Sequence, residues 1–255
     1  MKTRIISAIV MLIVFVPILL LGDIYYTSFC CMLGLMSLWE MQNLEKNTPI
    51  IMQIESYGIC LFLMLYRGND YFLIMSSILL LFIASLIIYG NISKYNYKDC
   101  MLLLTKTLII GLLYHGFISV RVMGLLPVIY CFLISITTDT FAYIGGRLLG
   151  KHKLSKEISP NKTIEGSIIG SVMGTIMGSV FYYNVMGNTS LWLVILISFV
   201  LTLLAQMGDL FFSSIKRSYK VKDFSNLIPG HGGILDRLDS VLFVILGFLI
   251  YNLFM

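Results

Sequence analysis

Charge is scarce in this sequence. Asp, Glu, Lys and Arg together make up 12% of the 255 residues, while 58% are hydrophobic. A soluble domain needs a polar shell that this composition does not supply, which argues against a soluble fold. Proline is also rare, at five residues, so few breakers interrupt the apolar runs. Histidine occurs three times and cysteine five times. No pair among Cys30, Cys31, Cys60, Cys100 and Cys131 has metal-ligand spacing, and all lie in or at the ends of apolar runs. They read as small apolar residues. The formal net charge of +5 is a moderate excess. It suits anionic lipid head groups, and nothing points to nucleic acid.

What the chain has instead is long apolar stretches. Nine runs, roughly 5–22, 24–43, 49–66, 71–90, 100–120, 124–145, 164–184, 190–212 and 235–254, are long and apolar enough for membrane helices. A helix needs about 20 residues to cross the hydrocarbon. The connections are mostly short and leave no room for a separate soluble domain. The expected fold is therefore all-α: a polytopic integral membrane protein of about nine transmembrane helices, forming one continuous membrane domain. Within it, residues 1–120 carry no readable motif and residues 121–255 carry the polar loops. The MKTR start resembles a signal peptide but lacks a small-x-small cleavage site. A second run follows almost at once, so the first is read as retained.

Lys and Arg set the orientation. With the N-terminus in the cytoplasm, the inner side receives Lys2, Arg4, Lys46, Lys94, Lys98, Arg147, Lys151, Lys153, Lys156, Lys162, Lys216, Arg217, Lys220, Lys222 and Arg237. Only Arg67 and Arg121 fall outside, and Lys106 lies within a span. Both long basic loops then face the cytoplasm, where nucleotides are, and the C-terminus lies outside the cell membrane.

Ser214 to Asp239, SIKRSYKVKDFSNLIPGHGGILDRLD, is the densest polar stretch. Lysine and arginine there supply charge, and the Pro229-Gly230-His231-Gly232-Gly233 turn lets backbone N–H groups approach phosphate oxygens. Carboxylates inside a cationic patch would repel a phosphorylated ligand unless a divalent cation stood between them. Asp209 closes the eighth run just before this loop, and Asp236 and Asp239 open the ninth at the same membrane level. The three are candidate metal ligands at a membrane interface. Upstream, Asp139, Tyr143 and Arg147 recur every four residues and share one helix face. They lead into a second basic loop with Lys151, Lys153, Lys156 and Lys162 around Ser159-Pro160.

The first of these stretches resembles the signature of the phosphatidate cytidylyltransferases, or CDP-diacylglycerol synthases. Its fixed positions are matched by Ser214, Lys216, Arg217, Lys222, Asp223, Ser225, Ile228, Pro229, His231, Gly232, Gly233, Asp236, Arg237 and Asp239. The second resembles another block of that family through Asp139, Thr140, Ala142, Tyr143, Ser159, Pro160, Lys162, Thr163, Glu165 and Gly166. Together the blocks cover residues 138–166 and 208–239.

The resemblance implies that CTP and phosphatidate react to give CDP-diacylglycerol and pyrophosphate. It implies Mg2+ held by Asp209, Asp236 and Asp239, with room for a second cation. Lys216, Arg217, Lys222 and Arg237 are expected to neutralise phosphate charge, and Lys162 with Ser159 to hold one phosphate. Asp139, Tyr143, Arg147, Glu165, Asp223, Gly232 and Gly233 complete the expected binding surface. His231 is a candidate proton donor to the leaving group, although ordering the glycine turn is its stronger reading. Two alternatives stand beside this: a CTP-using lipid-alcohol kinase, which would transfer the γ-phosphoryl group, and a membrane transporter, which would place charges at the midplane.

Three further expectations come from single residues. Glu55 and Lys106 lie inside apolar spans, where a lone charge is costly, so each needs a partner and they are candidates for one another. His115 reads as a hydrogen-bonded packing residue. Gly166, Gly170, Gly174 and Gly178 recur every four residues and suit a tight helix contact, within one chain or across a homodimer.

Overall fold

The computed structural model describes residues 2–45, 48–68, 70–91, 94–187 and 190–254. Among these are nine α-helices: α1 (Lys2–Leu21), α2 (Asp23–Gln42), α3 (Ile50–Leu65), α4 (Tyr71–Tyr89), α5 (Tyr97–Met123), α6 (Leu125–Leu149), α7 (Ile164–Phe181), α8 (Leu191–Ser218) and α9 (Leu235–Phe254). Each falls on one of the nine apolar runs. The largest difference is at α8, which stays helical through Ser218 because Lys216 and Arg217 stand in its last turn. Cations there complement the exposed carbonyls. Four helical stretches, Tyr97–Met123, Leu125–Leu149, Ile164–Met186 and Leu191–Ser218, are long and apolar enough to cross a membrane, and shorter apolar helices accompany them. Large apolar side chains point outward along them, Ile87 at 78% and Trp192 at 81% exposure among them. In hydrocarbon such a surface is the ordinary outside of the protein.

The chain forms two compact units, residues 23–118 and residues 1–22 with 119–255. Helix α1 thus groups with the C-terminal helices rather than with the rest of residues 1–120.

The 23–118 unit has its own apolar core, including Met52, Ile59, Leu63, Ile78, Phe82, Tyr95 and Cys100. Its polar groups pair locally. Ser37 Oγ lies 2.7 Å from Tyr114 Oη, and Gln42 Nε2 donates to Ser56 Oγ at 2.6 Å. The expected Glu55–Lys106 pair is not formed. Lys106 Nζ lies 2.7 Å from Glu45 and donates to the Met41 carbonyl at 3.0 Å, while Glu55 accepts from Ser85 Oγ. The long lysine stem reaches past the end of α2, where 16% of the Glu45 side chain is exposed. Holding the pair there costs less desolvation than a deeper one. His115 Nδ1 lies 3.4 Å from the Met64 carbonyl, in keeping with a packing role. All five cysteines are buried and free. Lys46, counted to the inner side, lies outside the described residues, as do the side chains of Lys2 and Arg4.

In the other unit, α1 is held by a Phe15–Phe132 ring contact at 5.3 Å, and Arg121 Nε donates to the Leu19 carbonyl at 3.0 Å. That bond satisfies one of the orphan carbonyls at the end of α1. The glycine row lies within the chain, against α6. A Cβ on Gly170 would stand 2.6 Å from the Thr138 carbonyl oxygen, and one on Gly166 2.5 Å from that of Ala142. Only bare backbone allows α6 and α7 to approach this closely. An all-α expectation missed one feature: residues 153–163 are not an irregular loop but an antiparallel hairpin, β1 (Lys153–Ser155) and β2 (Ser159–Thr163).

Candidate active site

The hairpin, the C-terminal halves of α6 and α8 and the starts of α7 and α9 line a cavity of about 660 Å³. The α6 stripe supplies Asp139, Tyr143 and Arg147 to its lining, as a four-residue period requires. Between them Gly146 has no side chain, and α7 closes in at Gly166. Thr163 turns the chain from β2 into α7 by accepting a hydrogen bond from the Gly166 N–H at 3.1 Å, an N-cap. Glu165, in the first turn of α7, clasps the base of the hairpin. Its carboxylate accepts from the Lys151 N–H at 3.0 Å and the His152 N–H at 3.2 Å, and lies 2.6 Å from His152 Nδ1. Glu165 therefore shapes the loop and does not line the cavity.

The hairpin carries Lys162 over the end of α8, where its ammonium pairs with Asp209 Oδ2. The other Asp209 oxygen accepts from Ser213 Oγ at 3.1 Å. A second lysine–aspartate pair lies deeper. Lys216 Nζ is 2.6 Å from Asp236 Oδ1, with 9% and 2% of the two side chains exposed. Asp236 Oδ2 accepts from the Phe224 and Gly233 N–H groups, both at 2.9 Å. Both oxygens of this buried carboxylate are thus paired. The Gly233 N–H reaches it because Gly232 takes φ +87°, and a Cβ there would meet Asp236 Oδ2 at 2.9 Å. Asp239 accepts from the Ser240 N–H at 2.9 Å, and the charges of Asp139, Asp209 and Asp239 act on one another across the cavity.

Ten expected site residues line this one space: Asp139, Tyr143, Arg147, Lys162, Asp209, Lys216, Asp223, Asp236, Arg237 and Asp239. The others stand around it. Arg217 ties the hairpin to the following loop by donating to the Ile158 carbonyl at 3.2 Å and to the Val221 carbonyl at 2.8 Å. Ser159 lies in β2, and Lys222 is exposed beside the loop. His231 Nδ1 lies 2.7 Å from Ser7 Oγ, within the glycine turn and outside the cavity lining. That position fits ordering the turn better than protonating a leaving group.

Sequence reasoning missed Ser167, Gln206, Asn161 and Ser240, which also line the cavity. Gln206 accepts from Ser167 Oγ and donates to Ser171 Oγ at 2.7 Å, pinning α8 to α7 one turn below Asp209. Its position three residues before Asp209, on the same helix face, was the available signal.

Among the described residues no group of three or more His, Cys, Asp and Glu is arranged to cage a metal ion. The donors fit a different kind of site. Magnesium commonly takes one or two carboxylates and completes its shell with substrate phosphates and water. Asp209 and Asp236 are two such carboxylates, each paired here with one lysine ammonium.

Comparison with known proteins agrees with the chemistry of this cavity. The model of the cytidylyltransferase family matches residues 2–255. A protein of Staphylococcus haemolyticus named phosphatidate cytidylyltransferase is 37% identical over 252 residues, covering 96% of each chain. One of the same name from Staphylococcus aureus is 36% identical over 250 residues, again 96% of each, and one from Staphylococcus epidermidis is 36% identical over the same length. With its whole length matched, this chain belongs to the cytidylyltransferase family.

Proposed function

We propose that the protein transfers the cytidylyl group of CTP to phosphatidate, giving CDP-diacylglycerol and pyrophosphate for phospholipid synthesis. The observation that carries this reading is the single cavity in which two lysine–aspartate pairs face two arginines, Arg147 and Arg237. The nucleophile is a phosphate oxygen of the lipid, already ionised at neutral pH, so no strong base is required. It attacks the α-phosphorus of CTP, a new P–O bond forms, and the bond to the β-phosphate oxygen breaks. The obstacle is charge: an anionic lipid meets a triphosphate, and pyrophosphate must leave.

The residues answer that obstacle. Lys162 and Lys216 are held by Asp209 and Asp236 until phosphates arrive, and each can then exchange its carboxylate for a phosphate oxygen. Arg147 and Arg237 present planar forks suited to a phosphomonoester. Mg2+ held by Asp209 and Asp236, with Asp239 beside them, would supply Lewis-acid polarisation and charge neutralisation. The three carboxylates leave room for a second cation, and Asp139 lines the same cavity. Ser159 and Arg217 fix the hairpin that carries Lys162.

In the proposed topology all nine helices span the cell membrane, both basic loops face the cytoplasm and the C-terminus lies outside. A homodimer would use a face other than the glycine row, which α6 occupies.

Membrane vesicles containing the protein test function and orientation together. Inverted vesicles given CTP and magnesium should pass a cytidine label into lipid and release a γ-phosphate label as pyrophosphate. A γ-label in lipid would instead identify a kinase. Turnover confined to right-side-out vesicles would overturn the orientation.

A further inference from the structure

The N-terminal helix α1 is almost uniformly apolar, yet one of its few hydroxyls is committed to the signature loop 222 residues later. Ser7 Oγ donates to the Pro229 carbonyl at 3.1 Å and lies 2.7 Å from His231 Nδ1. We infer that Ser7 is a positioning residue of the active site, acting through the Pro229–His231 turn on the Asp236–Lys216 pair.

A serine hydroxyl has one proton and the Pro229 carbonyl can only accept, while His231 Nδ1 takes whichever role its tautomer allows. A short chain of bonds leads from there to the cavity. Ile228 and Gly232 exchange hydrogen bonds across the turn at 2.8 and 3.1 Å, and the His231 N–H donates to the Ile228 carbonyl at 2.9 Å. The next residue, Gly233, donates its N–H to Asp236 Oδ2, and the opposite oxygen of Asp236 holds Lys216. Pro229 and Gly230 are exposed, and Gly230 and Gly232 both take positive φ. Two side-chain bonds from a helix fix the turn in a way its own glycines do not. The effect of Ser7 should appear in how well the Asp236–Lys216 pair is formed.

The test uses purified full-length protein in lipid–detergent micelles, and it rests on the proposed cytidylyl transfer. Ser7→Ala should lower kcat/KM for CTP by about five- to thirtyfold, the size expected for one or two lost hydrogen bonds. It should raise the magnesium requirement and leave KM for phosphatidate unchanged. Amide hydrogen exchange at Gly232 and Gly233 should accelerate, and the thermal midpoint should fall by no more than about 4 °C. Ser7→Thr keeps the hydroxyl and should restore most of the loss. His231→Asn places an amide nitrogen near the Nδ1 position and should stay sensitive to Ser7→Ala, whereas His231→Leu should lose most of that sensitivity. Unaltered CTP kinetics in Ser7→Ala, failure of threonine to restore them, or an equal Ser7→Ala loss in the leucine background would each overturn the inference. A wild-type protein that makes no CDP-diacylglycerol would overturn the functional reading instead, and the exchange rates would still decide the role of Ser7.

Discussion

The two units of the chain use polar residues inside apolar helices in opposite ways. In residues 23–118 the polar groups consume one another: Lys106 with Glu45, Gln42 with Ser56, Ser37 with Tyr114, Glu55 with Ser85. In the other unit, carboxylates from α6, α8 and α9 converge on one cavity together with two paired lysines and two arginines. A charge in an apolar helix therefore does not by itself mark a reaction site. What separates the two cases is whether the partners face a space large enough for a ligand.

The comparison is broken most severely by removing a cavity carboxylate. Asp209→Asn and Asp236→Asn keep the side-chain shape and remove the charge. Each should lower turnover by about 10²–10³-fold, the usual loss when a preorganised charge partner is deleted. Asp236→Asn should also loosen the turn, because its oxygen gathers the Phe224 and Gly233 N–H groups. Turnover measured against magnesium concentration decides the assignment. Near-normal activity and magnesium dependence in both variants would leave the cavity as a phosphate-binding surface without a metal.

How much of this was legible depends on how local each feature is. Hydropathy is a local property, so the nine helical runs could be read directly, and so could the one-face stripe of Asp139, Tyr143 and Arg147. The order of residues in the signature loop marks Asp236 and Asp239, and the end of the eighth apolar run marks Asp209. The hairpin at 153–163 was not legible, because strands of three and five residues are too short to show an alternation. The choice of Glu45 over Glu55 by Lys106 was not legible either. It depends on the register between helices, which hydropathy does not encode. Ser7 and Gln206 escaped for the same reason. Each is a single hydroxyl or amide whose meaning lies entirely in what packs against it.

A weaker disturbance should separate the two units cleanly. Lys106→Met removes a cation with 5% of its side chain exposed and leaves Glu45 behind. Breaking a buried pair from one side costs on the order of 3 kcal/mol. Folded yield and thermal midpoint should drop, while turnover per folded molecule stays near normal. Lys106→Met combined with Glu45→Leu should recover much of the stability, since no charge is then stranded. A large loss of kcat in stable protein would mean that the 23–118 unit takes part in the reaction.

The smallest effect is expected at Glu55, and it tests the comparison at its most delicate point. One carboxylate oxygen of Glu55 accepts from Ser85 Oγ, while the other is buried and has no hydrogen-bond partner among the described residues. Like Gln42 Oε1 and Tyr95 Oη in the same unit, that oxygen is a buried polar atom left unanswered. Glu55→Gln preserves an acceptor for Ser85 and removes the charge. If this residue only fills space between α3 and α4, turnover and KM for both substrates should be unchanged. The thermal midpoint should hold or rise, by the equivalent of about 1 kcal/mol at most. If turnover instead fell tenfold or more in protein of unaltered stability, the Glu55 carboxylate would have to serve the reaction, and the division between a self-paired unit and a ligand-facing unit would fail.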